Sequence, residues 1–234
     1  MLKKTFNSII LLFFVFQSNA QFFDGFGVFV GGTSSRHRYV NNSSYDAVFL
    51  THIIPAPTHK SKELFYFSIG TFKEFLSYKH FKWQTEFEYC RKGAVEKIVN
   101  NMPSTETTGK NQYTNIEWNN FIKLIGNEGY RGVPYLMLGI RLDYNLKRYL
   151  TAYYQISNLV PKIMATPDIG IGYEFVNYGN WRLFSEGHYN PDLNKIKSAN
   201  IIFSQRMWEL RVGLIRRIDK SEKCNTPKYN GSYY

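Results

Sequence analysis

Cysteine is nearly absent from this chain: Cys90 and Cys224 are the only two. The only disulfide open to an exported form of the chain is therefore the one between them. In the strand topology that the sequence predicts, the two residues lie near opposite ends of a barrel, about 20 Å apart. A disulfide needs Cα atoms within about 7 Å. We therefore expect no bridge unless the C-terminal segment folds back into the barrel.

Long apolar runs are also missing after the N-terminal segment, where no stretch reaches the roughly 20 apolar residues of a membrane helix. At the N-terminus, two lysines precede the apolar run Ile9–Phe16, and small residues follow at Ser18-Asn19-Ala20. An uncleaved anchor helix is the alternative interpretation, but the run is too short to span a bilayer comfortably. We predict a signal peptide at residues 1–20 and export of the chain that follows.

Catalytic and metal-binding patterns are absent as well. His52 and His59 lie in a predicted loop without metal-ligand spacing, and no phosphate-binding glycine loop follows a strand and opens a helix. Ser185 and His188 lie on opposite faces of one predicted strand, so they form no nucleophile–base pair. The sequence predicts no catalytic residue, metal or cofactor. An enzyme acting on lipid or peptide at outer loops remains the alternative function.

Acidic residues are outnumbered, with 18 Asp and Glu against 29 Lys and Arg and a formal net charge of +11. Nucleic acid is an implausible partner for an exported chain. In one interpretation, the excess of basic residues provides only general surface charge and solubility. In the other it attracts anionic headgroups of outer-membrane lipid and lipopolysaccharide. Basic residues recur in one predicted loop: Arg36, His37, Arg38, Lys60 and Lys62.

What the chain does have is alternation. In Phe81–Arg91 the odd positions are mostly large and apolar, whereas Lys82, Gln84, Glu86 and Glu88 are polar. Side chains alternate faces along a strand, so this segment has one apolar and one charged face. Seven other segments alternate similarly, making about eight strands: Phe22–Gly32, Phe65–Leu76, Ile116–Leu124, Val133–Tyr144, Asp168–Phe175, Trp181–Tyr189 and Met207–Ile218.

The connections between these strands alternate in length. The short ones are Ser77–His80, Asn127–Gly132 and Val176–Asn180. The long ones are Thr33–Glu63, Lys92–Asn115, Asn145–Pro167 and Pro191–Arg206. Short periplasmic turns and long extracellular loops are typical of outer-membrane barrels, whereas a soluble sandwich has no reason to sort its loops. The sequence therefore predicts an all-β fold, a small antiparallel up-and-down transmembrane β-barrel over residues 21–218.

The polar strand faces then line the lumen. A soluble sheet would turn such charges to water, but in a small barrel they pair with one another across the interior. Glu86 and Glu88 share a face as in a paired-acid site. The candidates to neutralise them from other strands are Arg141, Arg182 and Arg211. We predict a structural ion network of nine residues: Glu86, Glu88, Arg141, Asp143, Glu174, Arg182, Glu186, Glu209 and Arg211.

Bulky side chains on the predicted inner face argue against a pore. Phe29, Phe72, Tyr135 and Phe184 lie there, and glycines on the same faces leave room for them. The interior of an eight-stranded barrel is about filled by side chains. One segment resists assignment: Tyr149–Ser157 also alternates. We read it as part of a long outer loop, although it could replace Ile116–Leu124 in another eight-stranded arrangement.

Several motifs, taken in order, resemble the PorT-like outer-membrane β-barrel family of Bacteroidota. They are Phe67–Phe75, Trp83–Ala94, Pro134–Tyr144, Tyr189–Leu193 and Trp208–Ile215. The resemblance implies a single small barrel in the outer membrane of a Gram-negative bacterium. It does not imply a catalytic site. It points to a structural or protein-interaction role in the envelope, with another envelope protein as partner and a link to secretion.

The chain departs from the family pattern at its end, where such barrels usually stop at an aromatic residue that closes the last strand. Here the polar segment Asp219–Tyr234 follows. Its composition predicts a disordered periplasmic tail, and a docking peptide for a periplasmic partner is the alternative.

Overall fold

The computed structural model describes residues 23–41, 58–78, 80–101, 104–127, 132–150, 161–191, 196–198 and 201–218. The predictions of a signal peptide at residues 1–20 and of a polar tail at Asp219–Tyr234 fall outside these ranges, as do His52 and Cys224. Within the described ranges, no helix has the length and apolarity needed to cross a membrane.

The described residues form one antiparallel sheet that closes on itself. Its strands are β1 (Phe23–Asn41), β2 (Thr58–Tyr78), β3 (Phe81–Asn101), β4 (Ser104–Ile125), β5 (Gly132–Leu150), β6 (Ile163–Tyr178), β7 (Trp181–Asn190), β8 (Ile196–Ser198) and β9 (Ile201–Arg217). Neighbours pair in chain order from β1 to β7, β7 pairs with β9, and β9 pairs with β1 to close the ring. The three-residue β8 pairs with β9 alongside the closed ring. Eight long strands therefore make the barrel, as predicted.

All eight predicted strands are present, but most are longer than predicted. The predicted loop Lys92–Asn115 is wrong in most of its length, because β3 continues to Asn101 and β4 begins at Ser104. The extension of β4 is largely polar, and that of β3 mixes apolar and polar residues on each face, so neither shows the apolar alternation that marks a half-buried strand. We call the end that carries these extensions the outer end, and the end with the short turns the turn end.

The alternative role of Tyr149–Ser157 as a barrel strand in place of Ile116–Leu124 is wrong. Ile116–Leu124 lies inside β4 and pairs with β3 on one side and β5 on the other. Tyr149 and Leu150 are the last residues of β5. Residues 151–157 lie outside the described ranges.

The barrel is apolar outside and polar inside. On β3, Trp83 and Phe87 are exposed, whereas Gln84, Glu86 and Glu88 are buried. One path of paired residues from β2 round to β9 is apolar or aromatic throughout: Phe75, Trp83, Ile122, Leu138, Ile169, Tyr189 and Trp208. This inverted polarity suits a lipid surround and would be unfavourable in water, so the fold is a transmembrane β-barrel.

Glycines opposite aromatic residues allow the narrow interior to fill. Six aromatic rings inside the barrel each lie directly opposite a glycine of a neighbouring strand: Phe29 opposite Gly70, Phe72 opposite Gly27, Phe121 opposite Gly139, Tyr135 opposite Gly172, His188 opposite Gly170 and Phe184 opposite Gly213. At Gly27 a Cβ atom would lie 2.4 Å from Phe72 Cζ and 2.5 Å from the Leu214 carbonyl oxygen. The ring therefore occupies the volume that a side chain would need.

We expect Gly27→Ala to lower the free energy of unfolding by about 1–3 kcal/mol, because the added methyl group overpacks a filled interior. Gly187→Ala is the matched control, since its Cβ would meet only Leu210 Cδ2, at 3.6 Å. It should stay within about 0.5 kcal/mol of the original protein. Urea unfolding in lipid vesicles measures both, and equal effects at the two sites would contradict this account of the glycines.

Candidate functional site

The lumen contains two charged clusters separated by an apolar layer. The larger cluster lies toward the outer end and is centred on Arg141, which is fully buried. Its Nε donates to Asp168 Oδ2 at 2.7 Å, and its Nη2 donates to Glu209 Oε2 at 2.8 Å. Its Nη1 donates to Glu117 at 3.2 Å and to Glu88 at 3.3 Å. One guanidinium from β5 therefore connects carboxylates of β3, β4, β6 and β9.

Arg211 of β9 is the second centre of the outer cluster. Its Nη1 donates to Glu86 Oε2 at 2.8 Å and its Nη2 to Glu88 Oε2 at 2.5 Å. Glu209 lies 2.9 Å from the same Nη2. The guanidinium also lies over the Phe29 ring, with its Cζ atom 4.3 Å from the ring centroid. Glu88 and Glu209 are thus shared between the two arginines.

Neutral donors add further hydrogen bonds to these carboxylates. Asn119 Nδ2 donates to Glu86 at 3.2 Å and to Glu88 at 3.1 Å. Ser68 Oγ donates to Glu209 Oε1 at 2.6 Å, and Gln84 Nε2 donates to Glu86 Oε1 at 2.7 Å. Such donors help to offset the loss of water around a buried ion pair, although Glu88 Oε1 has no hydrogen-bond partner among the described residues.

His188 joins the outer cluster through both ring nitrogens. Nδ1 lies 2.7 Å from Asp168 Oδ1 and Nε2 lies 3.2 Å from Glu186 Oε2. Tyr135 donates its hydroxyl proton to the other oxygen of Glu186 at 2.8 Å. Only the imidazolium form can donate from both nitrogens. The arrangement therefore fits a charged histidine held between two carboxylates inside the barrel.

Lys92 closes this cluster toward the outer end. Its Nζ lies 2.6 Å from Glu117 Oε1 and 2.8 Å from Asp143 Oδ2. Cys90 Sγ donates to the same Glu117 oxygen at 2.7 Å. Glu88, Cys90 and Glu117 bring three potential ligand atoms within 4.8 Å of one another. Arg141 and Lys92 already neutralise these two carboxylates, so the group fits the ion network better than a metal.

The smaller cluster lies at the turn end. Lys123 Nζ is 2.9 Å from both Glu74 Oε1 and Glu174 Oε1. Arg217 contacts the same two carboxylates and Asp24, which it meets at 3.3 Å. Lys82 reaches Glu74 at 3.3 Å and also contacts Asp24. Three carboxylates and three cations therefore interlock just inside the turns.

Apolar and aromatic side chains fill the space between the two clusters. Phe29, Phe72, Phe184 and Ile215 form one buried group, and the Phe72 and Phe184 rings meet edge to face at 5.4 Å. Phe121, Tyr135 and Met137 form another buried group. The four bulky residues predicted on the inner face are all here. The members of the layer come from β1, β2, β4, β5, β7 and β9.

The structure brings together most of the nine residues predicted for the network. Glu86, Glu88, Arg141, Asp143, Glu186, Glu209 and Arg211 lie in the outer cluster, and Glu174 lies in the turn-end cluster. Arg182 is only half-buried at the turn end, 3.6 Å from Glu174. The prediction that Arg182 neutralises Glu86 and Glu88 is therefore wrong, because it lies beside Glu174 instead.

Nine further members escaped the sequence prediction: Asp24, Glu74, Lys82, Lys92, Glu117, Lys123, Asp168, His188 and Arg217. Most share strand faces with predicted members, so the alternation itself could have found them. Lys92 is different, because it lies beyond the predicted end of β3.

The fold and this lumen together define a small, closed transmembrane β-barrel. No protein-family model matches the chain, and no curated protein matches it. Among solved structures, the outer membrane protein OprG from Pseudomonas aeruginosa is similar over 84% of this chain and 97% of its own, at 7% identity with a TM-score of 0.48. Neisserial surface protein A covers 82% and 97%, at 13% identity with a TM-score of 0.39. Ail of Yersinia pestis covers 82% and 99%, at 13% identity with a TM-score of 0.36.

Proposed function

We propose that the protein is a non-enzymatic outer-membrane β-barrel with a structural or protein-interaction role in the cell envelope. The observation that carries the proposal is the filled lumen. Two ion-paired clusters and the apolar layer between them occupy the interior, so a transport path would require their displacement. His188 and its carboxylate partners, the arrangement nearest to a catalytic group, are enclosed in the lumen with the histidine 1% exposed. This supports binding at the ends of the barrel rather than chemistry within it.

The surface for interaction lies in the strand extensions. β3 has 21 residues and β4 has 22, whereas a tilted strand needs about 9–11 to cross the hydrocarbon core. The β3–β4 hairpin therefore continues beyond the membrane by about ten residues, on the order of 25 Å along the barrel axis. The resemblance to PorT-like barrels supports a narrower hypothesis, that the partner belongs to a secretion system.

Photo-crosslinking in cells tests the interaction role. A crosslinking residue at Arg36 or Lys110, both exposed at the outer end, should give a discrete protein adduct. The same residue at Ile140 in the apolar band should give lipid adducts alone. Lipid adducts alone from all three positions, or recovery of the barrel outside the outer-membrane fraction, would contradict the proposal.

Conductance tests the closed lumen separately. In planar bilayers the protein should give no current above background, because the apolar layer and both ion clusters block the interior. A stable conductance of porin size would contradict this expectation.

A further inference from the structure

The charges of this protein are segregated between the inside and the outside of the barrel. Ten carboxylates are buried: Asp24, Glu74, Glu86, Glu88, Glu117, Asp143, Asp168, Glu174, Glu186 and Glu209. Among the described side chains, Glu63 is the one exposed carboxylate, against seven exposed basic residues: Arg36, Lys62, Lys73, Lys110, Lys147, Lys162 and Arg216. The acids serve internal pairing, and the net positive charge faces the surroundings.

The exposed Lys147 and the half-buried Arg91 belong to a row on the outward face of three strands. Arg91 of β3 pairs directly with Thr114 of β4, and Thr114 pairs with Lys147 of β5. Directly paired residues point to the same side of a sheet, so a hydroxyl lies between two long cationic side chains. Arg91 and Lys147 are about 10 Å apart across the sheet, from the spacing of neighbouring strands.

A fourth residue adds a further positive charge beside the row. Lys162 is exposed just before β6, and its carbonyl oxygen accepts a hydrogen bond from the Asn145 amide at 2.9 Å. Its Nζ lies 5.1 Å from the centroid of the Tyr144 ring, on the outside of the barrel. Arg91, Thr114, Lys147 and Lys162 together are called the cationic row.

The cationic row lies at the level of the lipid headgroups. The next outward-facing row toward the turn end consists of Tyr89, Ile116 and Tyr144. The row after that, still closer to the turn end, consists of Phe87, Trp118 and Leu142. Aromatic residues mark the interface in membrane barrels, flanking the apolar band. The cationic row is one step beyond that belt, about 5 Å along the axis. Headgroup phosphates of the outer leaflet lie at this depth.

Arg91 supplies the guanidinium of the row. Its Nε has no hydrogen-bond partner among the described residues, so this nitrogen is not committed to a neighbouring side chain. Its backbone is held in place, because Thr33 Oγ1 donates to the Arg91 carbonyl oxygen at 2.9 Å. A guanidinium binds phosphate through parallel N–H donors, and a lysine and a threonine hydroxyl add a charge and a further donor.

We infer that the cationic row is a binding site for a phosphate group of lipopolysaccharide in the outer leaflet. The inference rests on the proposed outer-membrane location and adds a defined site to it. Part of the excess positive charge would then bind one class of lipid, on one side of the barrel.

The test compares two triple variants of the full-length protein in nanodiscs. One is R91Q/K147Q/K162Q, and the matched control is R36Q/K62Q/R206Q, which removes the same charge at the outer end of β1, β2 and β9. The probes are bisphosphorylated lipid A, lipid A without phosphate, and inorganic phosphate as competitor. Each basic residue near an anionic surface contributes about fivefold, so the first variant should bind bisphosphorylated lipid A about a hundredfold more weakly.

The control variant should lose clearly less affinity, and lipid A without phosphate should bind the original protein as weakly as the first variant binds the intact lipid. Equal losses in both triple variants would overturn the site, as would unchanged affinity in the first variant. Displacement of lipid A by equimolar inorganic phosphate would show that the site binds free phosphate rather than the phosphate of a lipid, and would overturn the inference. Folding is checked independently by the heat-dependent gel mobility of the barrel. Failure of the original protein to reach the outer membrane would count against the proposed function instead.

Discussion

Replacing Arg141 with methionine should destabilise the barrel by about 3–5 kcal/mol, the largest effect we expect from a single substitution in the lumen. The guanidinium is fully buried and pairs with Glu88, Glu117, Asp168 and Glu209. Its removal leaves carboxylates without their shared counter-charge, and breaking a buried pair from one side costs about this much. The free energy of unfolding in urea, measured in lipid vesicles, checks the prediction.

Two further substitutions serve as comparisons, one at position 141 that separates charge from geometry and one at an exposed arginine elsewhere. Arg141→Lys keeps the charge but lacks the planar guanidinium that contacts four strands. The stability of this variant should therefore fall between those of the original protein and Arg141→Met. Arg216→Met removes an exposed arginine near the turns and should cost less than about 1 kcal/mol.

Restoring neutrality should recover part of the loss. We expect Glu117→Gln combined with Asp168→Asn to stabilise the Arg141→Met protein, because two of the carboxylates that lost their counter-charge become neutral. The same pair of substitutions should destabilise the original protein, where both carboxylates are paired with Arg141. A loss below about 1 kcal/mol in Arg141→Met would contradict the central role of this residue.

Replacing Ile140 with arginine should cost about 2–4 kcal/mol, because the outward face of β5 lies against lipid. Ile140 is 55% exposed in the structure, near the middle of the apolar stretch between Leu136 and Tyr144. In water an exposed isoleucine would accept a charge with little effect. The penalty is therefore specific to a membrane surround.

A second arginine further along the same strand tests the depth dependence. Leu146 is 50% exposed and lies two residues beyond Tyr144, so Leu146→Arg should cost only about 0–1 kcal/mol. Unfolding in lipid vesicles compares the two variants. Equal penalties at positions 140 and 146 would contradict the placement of the apolar band.

The alternation of side chains made the strands and their faces predictable. Strand periodicity is local, since each residue's side depends only on its place in an extended segment. The contrast between Trp83 and Glu86 is therefore readable within β3 alone. Which face meets lipid required more, namely the sorting of connections into short and long ones.

The strand ends were less predictable, because the extensions leave the membrane. Beyond the apolar band the outward face is no longer apolar, although inward residues such as Lys92 and Asn111 stay buried, so the sequence loses the contrast between faces that marks a strand. Lys92 shows the consequence: predicted in a loop, it lies on β3 and pairs with Asp143 of β5. Backbone pairing, rather than side-chain pattern, maintains the strand there.

The pairing within the lumen was decided by tertiary structure. Arg141 and Glu88 are 53 residues apart in sequence, and Arg211 and Glu86 are 125 apart. Their contacts depend on the stagger of strands around the closed barrel and on which side chains reach across the interior. Arg182 was assigned to the same carboxylates because it shares their inward character, yet the stagger puts it at the turn end beside Glu174. By itself the sequence determined that charges face inward; the closure of the sheet decided which of them meet, because distance across a lumen is not a local property of any strand.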